Sequence, residues 1–139
     1  MSCKAAIYTA NTSAQTVADG GTIALGSIVR RFGNVCHQPI IDLSGTGVNI
    51  MEAGYYDVDA SITAIPDAAG TVTATLFQDG VEVPGATASA TVAAAATSVN
   101  LSVSALVRKM CSIGASTLTI VLTGAASSLT NVALVVERI

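Results

Sequence analysis

The dominant signal along this chain is an alternation of apolar and polar side chains with period two. Between residues 55 and 65, Tyr56, Val58, Ala60, Ile62 and Ala64 fall on one side. Tyr55, Asp57, Asp59, Ser61 and Thr63 fall on the other. Successive side chains of a strand point to opposite faces, so this run predicts a long strand with one face buried. Further on, Val72, Ala74 and Leu76 alternate with Thr71, Thr73 and Thr75. Val99, Leu101, Val103 and Val107 alternate with Asn100, Ser102 and Ser104, and Leu118, Ile120 and Leu122 with Thr117, Thr119 and Thr123.

Turn signals separate these runs. Pro66-Asp67-Ala68-Ala69-Gly70 breaks the chain after Ile65, and Gly45-Thr46-Gly47 predicts a hairpin between residues 40–43 and 48–51. Asp79-Gly80 is the dipeptide of a two-residue type I′ hairpin, whose central residues both need positive φ. Pro84-Gly85 is expected to close the short strand that follows, and the polar residues 11–21 are expected to form a loop. Residues 86–97 are nearly all Ala, Thr and Ser and read as a small-residue strand ending in a loop. Short strands at this spacing, with no long helical period, predict an all-β sandwich or barrel. No linker interrupts the pattern, so residues 1–139 are expected to form a single domain.

The last predicted strand differs from the rest. Val132, Leu134 and Val136 lie on one face, while Ala133 and Val135 occupy the other. A strand of a two-layer sandwich normally turns one face to water. Apolar residues on both faces predict a central strand covered by something else, most simply a neighbouring subunit.

Composition supports that expectation. Apolar residues make up 51% of the chain, but only 11% are charged and 4% aromatic. A small monomer ordinarily coats itself with Lys, Glu, Arg and Asp, so a face hidden against other copies is expected. The net charge is −3, and Arg30-Arg31 and Arg108-Lys109 are isolated pairs. Without a basic stripe to neutralise phosphates, nucleic acid is not expected as a partner. No run reaches 18 unbroken apolar residues, and Met1-Ser2-Cys3-Lys4 does not open a secretory signal. No membrane span is therefore expected; either the chain is made and assembled in a cytoplasm or processing has removed a signal, and Met1 favours the first. The three cysteines, Cys3, Cys36 and Cys111, form no C-x-x-C pair and read as free thiols.

Catalytic chemistry finds few residues. His37 is the only histidine; beside Cys36 on a strand it would point to the opposite face, so the two could not act as base and nucleophile. Zinc would require Cys3, Cys36, His37 and Cys111 to converge, two of them adjacent in sequence. Asp57 and Asp59 share a strand face at a spacing that could serve paired carboxylates or half a calcium site, with Asp19 and Asp67 as loop ligands. The plainer reading is a solvated or subunit-facing polar stripe. Gly45-Thr46-Gly47 leads into no helix and is no phosphate loop. The chain is expected to be non-enzymatic, with no catalytic, cofactor or metal residues and no cofactor.

One stretch carries a resemblance. Val48-Asn49-Ile50-Met51-Glu52-Ala53-Gly54-Tyr55-Tyr56-Asp57-Val58-Asp59-Ala60 resembles the central signature of the C1q/tumour-necrosis-factor-like jelly roll, where a short strand, a Gly and an aromatic pair lead into a long strand. Residues 73–84, reading TATLFQDGVEVP, resemble versions found in Gram-positive bacteria and their phages, and the closing Leu134-Val135-Val136-Glu137-Arg138-Ile139 fits that group. The match is best over residues 47–139 and looser over 1–46. It implies a two-sheet antiparallel jelly-roll sandwich of about ten strands, assembled as a tight trimer. Transferred to this sequence, it implies a trimer interface at Tyr55, Tyr56, Asp57, Ala133, Leu134, Val135 and Val136. The collagen-like Gly-X-Y stalk that often precedes such heads is absent.

The function expected from these signals is that of a trimeric, non-enzymatic bacteriophage virion component: a capsid decoration, a head fibre or a tail-associated host-binding knob. Its partners would be its own copies, phage capsid or tail proteins, or a host cell-surface glycan or protein. The alternative is a bacterial cell-surface or spore-coat adhesion module binding glycan or protein.

Overall fold

In a computed structural model, residues 4–35, 37–111 and 114–139 are described. They contain no helix and fourteen strands: β1 (Ala6–Asn11), β2 (Gln15–Val17), β3 (Gly21–Thr22), β4 (Ser27–Phe32), β5 (Asn34–Val35), β6 (Gln38–Pro39), β7 (Ile41–Ser44), β8 (Gly47–Ile50), β9 (Gly54–Pro66), β10 (Gly70–Gln78), β11 (Val81–Val92), β12 (Val99–Lys109), β13 (Ser116–Thr123) and β14 (Ser127–Arg138). One antiparallel sheet runs β12-β9-β14-β1-β4, and the other runs β11-β10-β13-β8-β7. These two paths supply the ten strands expected of the jelly roll. The short β2 pairs with the start of β14, β3 pairs with β13, and β5 pairs with β6. The architecture is the C1q/TNF-like jelly-roll sandwich.

The predicted alternation is what joins the sheets. Tyr56, Val58, Ala60, Ile62 and Ala64 on β9 face Val72, Ala74 and Leu76 on β10 and Leu118, Ile120 and Leu122 on β13 across one buried cluster. A buried side chain of this size contributes about 1.5–3 kcal/mol over an exposed one. Ile23 and Leu25, wholly buried, fill the side of the sandwich where the chain passes from β3 to β4. Gln15 fixes that crossing by donating to the Ala24 carbonyl at 2.9 Å and accepting from the Ala24 amide at 3.1 Å.

The hairpins follow their turn chemistry. Asp79 and Gly80, at φ 53° and 80°, join β10 to β11 as a type I′ turn would. Asp79 also accepts from the Thr117 amide at 2.9 Å and from Ser116 Oγ at 3.0 Å, tying the turn to β13. Gly45 and Thr46 join β7 to β8, as their spacing predicts.

Two expectations are corrected. Pro84-Gly85 does not end a strand: β11 continues from Val81 to Val92, and the pair sits where its register against β10 shifts between Thr75 and Phe77. A bulge absorbs the Pro and the positive φ of Gly85 without breaking the ladder. Residues 11–21 are not all loop, because Gln15–Val17 form β2 against Ser127, Ser128 and Leu129.

Candidate functional site

The first sheet presents its second face outward, and the pairing registers arrange that face in rows. Leu106 lies opposite Asp57, Asp57 opposite Glu137, Glu137 opposite Ala6, and Ala6 opposite Phe32. The next row reads Ser104, Asp59, Val135, Tyr8 and Arg30, and the one beyond it Ser102, Ser61, Ala133 and Ala10. On the near side of Leu106, Arg108 lies opposite Tyr55.

β14 is the middle strand of this sheet, as its sequence predicts, and the structure separates its two apolar faces. Val132, Leu134 and Val136 are buried between the sheets, whereas Ala133 and Val135 are only half-buried on the outer face. The pleat sorts the aromatic pair in the same way. Tyr56 is fully buried and donates its hydroxyl to the Glu52 carbonyl at 2.6 Å. Burial pushes its phenol above the ordinary value of 10.0; the Arg138 charge opposes this and that of Glu52 adds to it. Tyr55 is 51% exposed, with the Arg108 guanidinium 5.8 Å from its ring centroid.

Of the residues the resemblance implies for an interface, Tyr56, Leu134 and Val136 lie in the chain's own core, and Tyr55, Asp57, Ala133 and Val135 lie on the outer face. Sequence spacing did not reveal their neighbours Tyr8, Phe32 and Leu106, exposed by 37%, 58% and 59%. Only cross-strand register places Tyr8 beside Val135, Phe32 beyond β1 on β4, and Leu106 at the opposite edge on β12.

Two hollows mark the face. One, of about 220 Å³, is lined by Ala6, Ile7, Tyr8, Arg30, Phe32 and Val135 and is almost entirely apolar. The other, of about 300 Å³, lies over Asp59, Ser61, Ser102, Ser104, Ala133 and Val135, where small side chains leave the sheet uncovered. Ser104 donates to Asp59 at 2.5 Å. Asp57 and Glu137 face each other as like charges, an unfavourable cross-strand pair.

The residues weighed for chemistry do not gather. Asp57 and Asp59 are exposed on this face. Asp19 accepts from the Gly124 amide at 2.9 Å in a distant turn. His37 is exposed in the turn between β5 and β6, at φ 66°, and Cys111 is exposed. Cys3 and Cys36 lie outside the described residues. Among the described residues no three His, Cys, Asp or Glu groups come together.

No protein-family model and no curated protein matches the chain. Solved structures match it in fold. Murine APRIL at pH 5.0 superposes with a TM-score of 0.76 at 10% identity, covering 98% of this chain and 99% of that one. The globular domain of the zebrafish complement 1qA protein gives 0.66 at 8% identity, covering 96% and 95%. The PRD1 vertex protein P5 gives 0.62 at 12% identity, covering 100% and 99%.

Proposed function

We propose that residues 1–139 act as one non-enzymatic structural and binding domain, working as a homotrimer in a bacteriophage virion as a capsid decoration, head fibre or tail-associated knob. The observation that carries this reading is the outer face of the β12-β9-β14-β1-β4 sheet. Tyr8, Phe32, Ala133 and Val135 form an apolar area on it, with Tyr55 and Leu106 exposed beyond Asp57 and Asp59. Large contiguous apolar patches on small proteins mark contact surfaces, and the trimer implied by the C1q/TNF-like resemblance puts this face against other copies. Covering it releases about 25 cal/mol per Å² of apolar area. The opposite sheet shows water a hydroxyl surface, with Thr71 bonded to Thr91 at 2.9 Å and Thr73 to Ser89 at 2.8 Å.

The virion assignment is supported by the full-length likeness in fold to the PRD1 vertex protein and by the bacterial and phage style of residues 73–84. Labelling purified phage particles with antibody against this chain tests it by electron microscopy. Label at fixed positions on the virion is expected. Label confined to bacterial cells or spores would contradict it and favour an adhesion module.

A further inference from the structure

We propose that a hollow at the β7-β8 edge of the second sheet binds a neutral saccharide through two adjacent hydroxyls of one sugar ring. It is lined by Gln38, Pro39, Asp42, Asn49 and Met51, none of them in the first sheet, and a single copy carries them all. Its volume is about 300 Å³, at the small end of the range of ligand sites, about 300–1,000 Å³. Backbone pairing sets its floor. Asp42 lies opposite Asn49 in the antiparallel ladder, so the two side chains stand about 5 Å apart on one face. Ile41, Val48 and Ile50 point the other way and are wholly buried, which holds both strands to the core. The Met51 amide donates to the Ile40 carbonyl at 2.8 Å and fixes the wall beyond Asn49.

Asp42 and Asn49 are each held by the chain and keep one hydrogen-bonding position open. Thr117 Oγ1 donates to Asn49 Oδ1 at 2.8 Å, which leaves the Nδ2 donors for a ligand. Asp42 Oδ1 accepts from Arg31 Nη1 and from the Leu43 amide, which leaves Oδ2 as an acceptor. The Gln38 side-chain amide makes no hydrogen bond among the described residues. Charge selects the ligand class. The Asp42 carboxylate repels an anion, while the Arg31 guanidinium paired with it and the Asn49 N–H donors repel a metal cation. A hydroxyl both donates and accepts. Two on neighbouring ring carbons therefore satisfy the pair, one donating to Asp42 Oδ2 and the other accepting from Asn49 Nδ2. Pro39 offers C–H surface, and Met51, 47% exposed, a pliable thioether to the apolar face of the ring.

NMR titration of the isotope-labelled whole chain with the methyl glycosides of glucose, galactose, mannose and N-acetylglucosamine tests the site. At least one should shift the Asn49 and Gln38 side-chain amide resonances to saturation, with a Kd in the millimolar range. Asp42→Asn keeps the side chain's shape and its bond to the Leu43 amide, and should weaken that binding about tenfold or more. Asn49→Ala should do the same, and Asp67→Asn, in the turn after β9, should leave binding unchanged. Wild-type spectra in which none of the four gives saturable shifts at these residues would overturn the site. So would saturable binding that both Asp42→Asn and Asn49→Ala leave intact. A wild-type chain that is monomeric would overturn the trimer without touching this result.

Discussion

Tyr55 and Tyr56 are chemically alike and adjacent, yet the pleat gives one to the surface and the other to the core. Replacing the buried one, Tyr56→Phe, leaves the Glu52 carbonyl without its donor and should cost about 1 kcal/mol at neutral pH, read from denaturant midpoints. The raised phenol of Tyr56 sets the sign of the pH dependence. Above pH 10 the folded chain keeps a proton that the unfolded chain releases, so stability falls as pH rises from 10 toward the raised native value. In Tyr56→Phe this fall is absent, and the stability gap between the two proteins should narrow in alkali. Thr9 makes the opposite case: it is buried, and its Oγ1 has no hydrogen-bond partner among the described residues. Thr9→Val keeps the shape and should stabilise by about 1 kcal/mol. Tyr56's inward direction was legible from alternation alone. The cost of Thr9 was not, because the sequence does not show which acceptors lie within reach of its hydroxyl.

The strands were legible where both sheet layers impose alternation, as on β9, β10, β12 and β13. They were hidden where backbone pairing needs no apolar pattern. β2 exists because Ser127–Leu129 of β14 extend beyond β1 and offer an open ladder, so Gln15, Thr16 and one buried apolar residue, Val17, suffice. β11 survives Pro84 because an edge strand needs one ladder only and a bulge takes up the rest. Turns divide in the same manner. Gly45, at φ +61°, has nothing within 4 Å of where a Cβ would stand, whereas at Gly124, φ +102°, that atom would lie 2.1 Å from the Thr71 carbonyl oxygen. Gly45→Ala should therefore cost about 1 kcal/mol and Gly124→Ala more than about 2 kcal/mol, compared by thermal unfolding. The Gly45-Thr46-Gly47 spacing marks a turn in the sequence, but only the fold shows that Gly124 is pressed against β10.

At the scale of the whole molecule, one end carries few charges. The loops at 67–69, 93–98 and 124–126 hold mostly Ala, with Asp67 among them and Asp19 bonded to the Gly124 amide. The other end carries Lys4, Glu52, Lys109 and Arg138. Between them lies the outer face of the first sheet, which we propose as the contact surface of this low-charge sequence. Residues 132–136 are apolar on both sides, and the alternation divides the set named from the resemblance: Tyr55, Asp57, Ala133 and Val135 outward, Tyr56, Leu134 and Val136 inward. Leu134 and Val135 separate the two roles. Leu134→Ala opens a cavity in the sandwich and should cost about 2–5 kcal/mol of folding stability. Val135→Glu should leave the fold intact and abolish assembly. The most direct measurement is light scattering behind size exclusion on wild type and Val135→Glu at micromolar concentration. The account predicts three times the 13.8 kDa chain mass for wild type and a folded single chain for the variant. A wild-type protein that elutes as a folded single chain would contradict it.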